Sequence, residues 1–228
     1  MKVVLDIETL QASKAEWAIM MDKNPHDILI DNEFSGDDAT QYKNNYQKSA
    51  FDATFSRIIC IGLITLSDDL SLVSTEAWYG SNEKILLERF WTRLDGNKTK
   101  LIITHNGLGF DLPFLKKRSI INRVKPTIEI NLVRYRIEPV YDTMAVWANW
   151  DARSFVKLNV LAHALGVESK SCSGDQVLDM WTSGKQKDVA EYCLQDVYVT
   201  YACYCRMTFQ EPLKSLDVFK NKTIYKVD

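Results

Sequence analysis

The chain has 228 residues, 46% of them apolar and 25% charged. That is enough for one large folded domain, and it excludes bulk disorder. The formal net charge is −2, which excludes attachment to nucleic acid through overall basicity; any such contact needs a local field. The five cysteines (Cys60, Cys172, Cys193, Cys203, Cys205) are an odd number and fit free thiols in a reducing cytosol. Cys203 and Cys205 lack the spacing of a zinc pair. The first apolar run breaks at Asp6, too early for a signal peptide. No run approaches the roughly 18 residues of a membrane span. A soluble, cytoplasmic protein without a membrane partner is expected.

In chain order, residues 2–5 are a short β-branched run and predict a buried strand. Residues 11–50 form a long polar insertion, a kind of segment that is often functional; around 42–51 it predicts a helix. Residues 57–66 are the clearest strand. The turn Ser67-Asp68-Asp69 leads to another at 72–78, an antiparallel pair. Ser81 is placed to cap a helix reaching about Leu94, with Ile85, Leu86, Phe90 and Leu94 at helical spacing. Residues 101–104 predict a strand, 105–109 a turn, and Pro113 the first turn of a helix. An extended segment is expected within 128–141, ending at Asp142. Helices are predicted at 158–165, 175–181 and 187–209. Residues 211–228 carry Lys214, Lys220, Lys222 and Lys226 and read as a basic tail behind a domain spanning 1–210. This order predicts a three-layer α/β domain with a mixed sheet, whose sites lie at the carboxyl ends of strands.

Those ends hold acidic residues. Asp6 and Glu8 are two apart on a strand and share a face. Burying both unpaired is costly, and a divalent cation relieves that cost; taken alone, the pair equally reads as a solvated strand end. Asp111 follows a turn in which Gly107 and Gly109 allow close backbone approach; taken alone, it reads as an acidic residue in a first helical turn. Tyr192 and Asp196, four apart on a helix, point the same way; taken alone, they suit any amphipathic helix.

In this order and placement the three motifs resemble those of the DEDD superfamily of 3′–5′ exonucleases. D-x-E is Asp6-Ile7-Glu8, N-x₃-F-D runs from Asn106 to Phe110-Asp111, and Y-x₃-D runs from Tyr192 to Asp196. The tyrosine marks the DEDDy branch; the histidine branch would need His where Glu191 stands. Within the superfamily the chain is similar to stand-alone bacterial and phage exonucleases related to the proofreading domain of family B DNA polymerases. Asp6–Thr9, Arg57–Gly62, His105–Pro113 and Tyr192–Val197 carry that similarity, which spans about residues 1–209.

The resemblance implies a ribonuclease H-like α/β fold, three layers α/β/α around a mixed central sheet. It implies two Mg²⁺ or Mn²⁺ ions on Asp6, Glu8, Asp111 and Asp196. Asp6 would bridge the ions, Glu8 and Asp196 would hold the one that generates hydroxide, and Asp111 the other. Tyr192 would orient the water. Thr9, Leu10, Asn106 and Phe110 are candidates for contacting the terminal nucleotide, with core packing the alternative for Leu10 and Phe110. The expected reaction is hydrolysis of single-stranded DNA or frayed 3′ ends to nucleoside monophosphates, in a bacterium or an infected bacterium. A separate polymerase or replication protein is the expected partner. RNA as substrate is the alternative, and an inactive nuclease-fold binding module is a second. Lys116, Lys117, Arg118, Arg134 and Arg136 read as a solvated face or a phosphate rim. His105 and His163 read as structural, and Tyr198, Tyr201 and Tyr204 as packing.

Overall fold

A computed structural model describes residues 1–20, 46, 49–96, 98–168 and 177–228. Most of the insertion, including most of its expected helix, and the start of the helix expected at 175–181 lie outside the described residues. The elements are β1 (Lys2–Gln11), α1 (Lys14–Met20), β2 (Ser56–Leu66), β3 (Leu72–Gly80), α2 (Glu83–Gly96), β4 (Leu101–Thr104) and α3 (Asp111–Ile121). They continue with β5 (Val140–Asp142), α4 (Thr143–Trp147), α5 (Leu158–Ala164), α6 (Val177–Thr182), α7 (Gln186–Met207), α8 (Ser215–Phe219) and β6 (Thr223–Val227).

The strands form one sheet in the order β5-β4-β1-β2-β3-β6. β2 is antiparallel to β1 and to β3, while β4, β5 and β6 run parallel to their neighbours. Alternation along β1 sends Val3, Leu5 and Ile7 to one face, where they pack with Leu86, Phe90, Leu112 and Leu115 of α2 and α3. Val4 and Leu10 point to the other face, toward α7. Helices therefore cover both faces, and the fold is a three-layer α/β/α domain of the ribonuclease H-like type with a mixed sheet. Burial on both sides is why β2 reads as an unbroken apolar run.

Several boundaries differ from expectation. β1 is ten residues long; Asp6 and Glu8 end the apolar run, but the ladder with β2 continues to the Gln11–Ser56 pair. Asn82 does the capping expected of Ser81, its Oδ1 accepting from Ile85 N at 3.3 Å. Of the extended segment expected within 128–141, only the last residues pair, as β5. Residues 211–228 differ most from the expected tail, since they hold α8 and the edge strand β6. Tyr198 Oη donates to Leu213 O at 3.0 Å and Leu213 N donates to Tyr201 Oη at 3.1 Å, tying this stretch to α7. Lys222 pairs with Glu191. An edge strand wetted on one side needs few apolar residues, so its lysines mask it in sequence.

Arg118 is committed to the fold, not to a phosphate rim. Its Nε and Nη2 lie 2.9 and 2.7 Å from the buried Glu83 carboxylate, and Nη1 donates to Ala53 O at 2.9 Å. Glu83 also accepts from Ile58 N and Asn122 Nδ2, each at 2.7 Å. One charge pair thus joins α2, α3 and β2. Arg118→Ala strands a buried carboxylate, and urea denaturation should show a loss of about 3–5 kcal/mol. Lys117→Ala, on the exposed side of α3, should stay within about 0.5 kcal/mol.

Candidate active site

Three segments converge at the carboxyl end of β1. The first is β1 itself, where Asp6 pairs with Gly62 and Glu8 with Cys60. Both side chains project toward α7. The register shifts between Glu8 and Thr9, leaving Ile59 as the extra residue of a β-bulge.

The second segment is α7. It lies close because Gly62 has no side chain: a Cβ there would meet Cys193 Sγ at 2.8 Å and Val197 Cγ2 at 3.1 Å. Cys193 Sγ rests 3.5 Å from Asp6 O and 3.6 Å from Asp6 Oδ2. Ligand atoms of Asp6, Glu8 and Cys193 fall within 4.8 Å of one another. One turn of helix brings Tyr192 and Asp196 to the same face, where the tyrosine hydroxyl and the carboxylate influence each other.

The third segment is the turn between β4 and α3. Asn106 adopts a positive φ of 64°. Gly107 sits where a Cβ would be 2.3 Å from Thr104 Oγ1. The turn delivers Asp111 as the first residue of α3, 3% exposed, with Oδ1 accepting from Ile7 N at 3.2 Å. That bond sets the third carboxylate against the backbone between Asp6 and Glu8.

Asp142 fixes this turn, a role the sequence reading missed. Its Oδ1 accepts from Asn106 N at 2.9 Å and its Oδ2 from Leu108 N at 3.0 Å. Oδ1 also caps α4 through Met144 N and Ala145 N, at 3.1 and 3.2 Å. The available signal was an aspartate at a strand end directly before a helix. His105 is structural, with Nδ1 2.9 Å from Thr143 Oγ1 and Nε2 3.1 Å from Val156 O. Burial pushes its pKa down, against an upward pull from Asp142. His163 is exposed on α5.

The candidates for nucleotide contact separate. Leu10 is 6% exposed and packs with Ile59, Val189 and Cys193; an even position on β1 faces α7, so Leu10 is a core residue, the alternative open for it. Thr9 Oγ1 donates to Ala50 O at 2.8 Å. Asn106 holds the turn through its backbone, with Oδ1 directly beneath Gly109. Phe110 is half-buried, its ring 5.3 Å from Phe114 and 6.1 Å from Phe51.

Burial is the largest influence on all four carboxyls, and it raises each. Asp6 is driven well above its ordinary range, further raised by Asp111, Glu8 and Asp196 and partly offset by the Cys193 thiol. Glu8 is raised in the same way, with Asp196 and Asp111 adding to burial. Asp111 is pushed up to about 7 and Asp196 to about 6. Among the described residues none of the four makes a salt bridge. Crowded hard oxygen donors without a counter-charge suit a divalent ion such as Mg²⁺ or Mn²⁺.

Residues 48–223 match the model of a family described as predicted 3′–5′ exonucleases related to the exonuclease domain of PolB. The matched stretch contains Asp111, Tyr192 and Asp196; Asp6 and Glu8 precede it. The fold is similar to that of the family B DNA polymerase from the hyperthermophilic archaeon Pyrobaculum calidifontis. The TM-score is 0.58 at 13% identity, over 91% of this chain and 24% of that one. This chain therefore spans about a quarter of that polymerase, and the likeness is one of fold. A comparison with curated proteins finds no match. Among the described residues no helix is long and apolar enough to cross a membrane.

Two outcomes follow from the packing and the charges. Gly62→Ala should overpack the contact between α7 and β2 and cost about 1–3 kcal/mol in urea denaturation. Gly96→Ala, where a Cβ meets open space, should be neutral or slightly stabilising. Asp111 and Asp196 have folded pKa values above their unfolded ones. Their protonated forms therefore stabilise the chelated protein below about pH 4, and that stability is lost as pH rises through about 6 and 7. Melting temperatures in chelator should show the wild type losing ground to a doubly substituted Asp111→Asn, Asp196→Asn variant across that window.

Proposed function

Because this chain belongs to the family of predicted 3′–5′ exonucleases related to the exonuclease domain of PolB, we propose that Asp6, Glu8, Asp111, Asp196 and Tyr192 form a DEDDy catalytic site. The proposed reaction is hydrolysis of the last phosphodiester of single-stranded DNA or a frayed 3′ end. The carrying observation is the meeting of four buried carboxyls from β1, α3 and α7, Asp111 and Asp196 adding their charge to the burial of Asp6 and Glu8, with none of the four paired to a cation among the described residues.

Asp6, Glu8, Asp111 and Asp196 would hold two Mg²⁺ or Mn²⁺ ions, Asp6 being the carboxyl on which the charges of the other three all act. Such ions, when bound, supply Lewis-acid polarisation of a phosphate and an acidified water. In the reaction a water oxygen attacks phosphorus and the bond to the 3′ oxygen breaks. The products are a nucleoside 5′-monophosphate and a strand with a free 3′ hydroxyl.

Tyr192 serves as a hydrogen-bond donor. Burial first, then the charges of Asp196, Glu8 and Asp6, push its hydroxyl pKa upward. The proton therefore stays on oxygen at neutral pH, so the group positions water instead of accepting its proton. Asp142 acts one step away, holding the turn that carries Asn106 and Asp111. Tight substrate binding needs cations to reverse the sign of this acidic corner.

The test is degradation of 5′-labelled single-stranded DNA and of RNA of the same sequence, with Mg²⁺ or Mn²⁺, beside Asp6→Ala. Wild type should shorten DNA stepwise from its 3′ end. Asp6→Ala should be slower by about 10³-fold or more, as for loss of a transition-state stabiliser. Tyr192→Phe should be slower by about 10–100-fold, the scale for an outer partner of a metal site. Faster loss of RNA than of DNA overturns the substrate assignment. Wild type no faster than Asp6→Ala on both polymers overturns catalysis.

A further inference from the structure

A cleft of about 450 Å³ lies where β2 begins and β3 ends, and every side chain around it is polar. Arg57, Asn82, Glu83, Lys84, Asn122 and Asp228 are among them. Arg57 pairs with Leu10 in the ladder, two residues past Glu8 and so about 7 Å further along β1. The acids of the cleft already have partners. Glu83 is filled by Arg118, Asn122 and Ile58 N. Asp228 pairs with Lys226 at 2.9 Å. Arg57 differs: among the described residues its half-buried side chain makes no hydrogen bond or salt bridge, and its Nε is shut off from water. Glu16 feels its charge, but that carboxylate is spent on Ser13, accepting from N and Oγ at 2.8 Å each. Arg93 and Arg206 also have an enclosed Nε, yet each holds a carboxylate through another nitrogen. Beside Arg57, the exposed Lys84 reaches Glu88 only at 4.0 Å. Asn82 accepts from Ile85 N through Oδ1, which leaves its amide N–H groups to donate. The cleft thus gathers donors whose acceptor the chain does not supply, and leaving a partly dehydrated guanidinium unfilled is costly.

We propose that this cleft is an anion site in which Arg57, with Lys84, holds one backbone phosphate of the bound strand on the 5′ side of the bond to be cut. The inference rests on the exonuclease reading above and deepens it. A strand consumed from its 3′ end extends from the carboxylates only on its 5′ side, and the cleft opens at the same end of the sheet. The guanidinium fork matches two phosphate oxygens at once. A phosphate contact fixes register and reads no base, which suits an enzyme that removes one nucleotide after another. A chain of net charge −2 has little long-range attraction for a polyanion, so its grip on the strand has to be local. The neighbouring Arg118 cannot serve, since Glu83 holds it.

The experiment compares wild type, Arg57→Ala and Lys84→Ala on a long single strand of DNA and on the shortest strand that wild type cuts. A further set of long strands carries a neutral methylphosphonate at each backbone position in turn. On the long strand Arg57→Ala should raise KM by about tenfold and leave kcat within about twofold. It should also lower the slope of log KM against log salt by about 1. Lys84→Ala should do the same more weakly. On the shortest strand all three proteins should have equal KM. One methylphosphonate position should raise the wild-type KM as Arg57→Ala does, and at that position the substitution should add nothing. Arg57 supports no other group, so the melting temperature of Arg57→Ala should match wild type. Unchanged KM on the long strand for both variants, or an equal rise on the shortest strand, overturns the phosphate site while leaving the exonuclease reading intact. If inorganic phosphate raises the melting temperature of wild type but not of Arg57→Ala, while KM on the long strand is unchanged, the cleft takes free phosphate and the strand assignment is overturned. A wild type that cuts no strand overturns both readings.

Discussion

Burial of four carboxyls in one corner, with no cation paired to them among the described residues, is the constraint on which the rest of the structure depends. Asp6, Glu8, Asp111 and Asp196 are all raised, chiefly by burial and, at Asp6 and Glu8, also by one another. Left to local forces they would move apart into water. Packing holds them instead. The bare Gly62 lets α7 close over Asp6, and Cys193 fills the space between. The Ile7 N–H draws Asp111 onto β1. Stability spent in this way is usual for a functional site and is hard to explain by the needs of folding alone.

The contrast with two other buried carboxylates sharpens the point. Asp142 accepts from four backbone N–H groups. Glu83 is filled by Arg118, Asn122 and Ile58 N. Both are satisfied by the chain and serve as joints. Asp6, by comparison, has a weak thiol donor, and Asp111 has Ile7 N and its own backbone N–H. Acidic residues of one composition thus divide into structural and ligand-seeking groups according to how far protein donors fill their oxygens.

Much of this was legible in sequence because two short-range periodicities govern it. Strand alternation put Asp6 and Glu8 on one face, and the helical repeat put Tyr192 beside Asp196. Apolar runs buried on both sides announced a covered sheet. What escaped depended on partners distant in sequence. Leu10 read as either a nucleotide contact or a core residue, and the parity that aims Asp6 and Glu8 toward α7 also drives Leu10 under that helix. β6 was hidden because an edge strand does not need an apolar face. Asp142 read only as the end of an extended segment, and its bonds to Asn106 and Leu108 appear once β4 and β5 are paired.

The overall charge of −2 argues against a nucleic-acid substrate until the acidity is located. On the proposed reading its functional share is concentrated where carboxylates converge, and cations bound there would turn a repulsive corner into an attractive one for phosphate. Elsewhere the lysines and arginines are partly engaged with the fold, as Arg118 with Glu83 and Lys222 with Glu191 show. On the proposed reading, affinity would come locally from ions held at the carboxylates. The segments that carry those carboxylates are fixed by backbone contacts: Asp111 accepts from Ile7 N, and Thr9, the residue after Glu8, donates to Ala50 O. The ligand positions would therefore be set by the fold before any ion arrives.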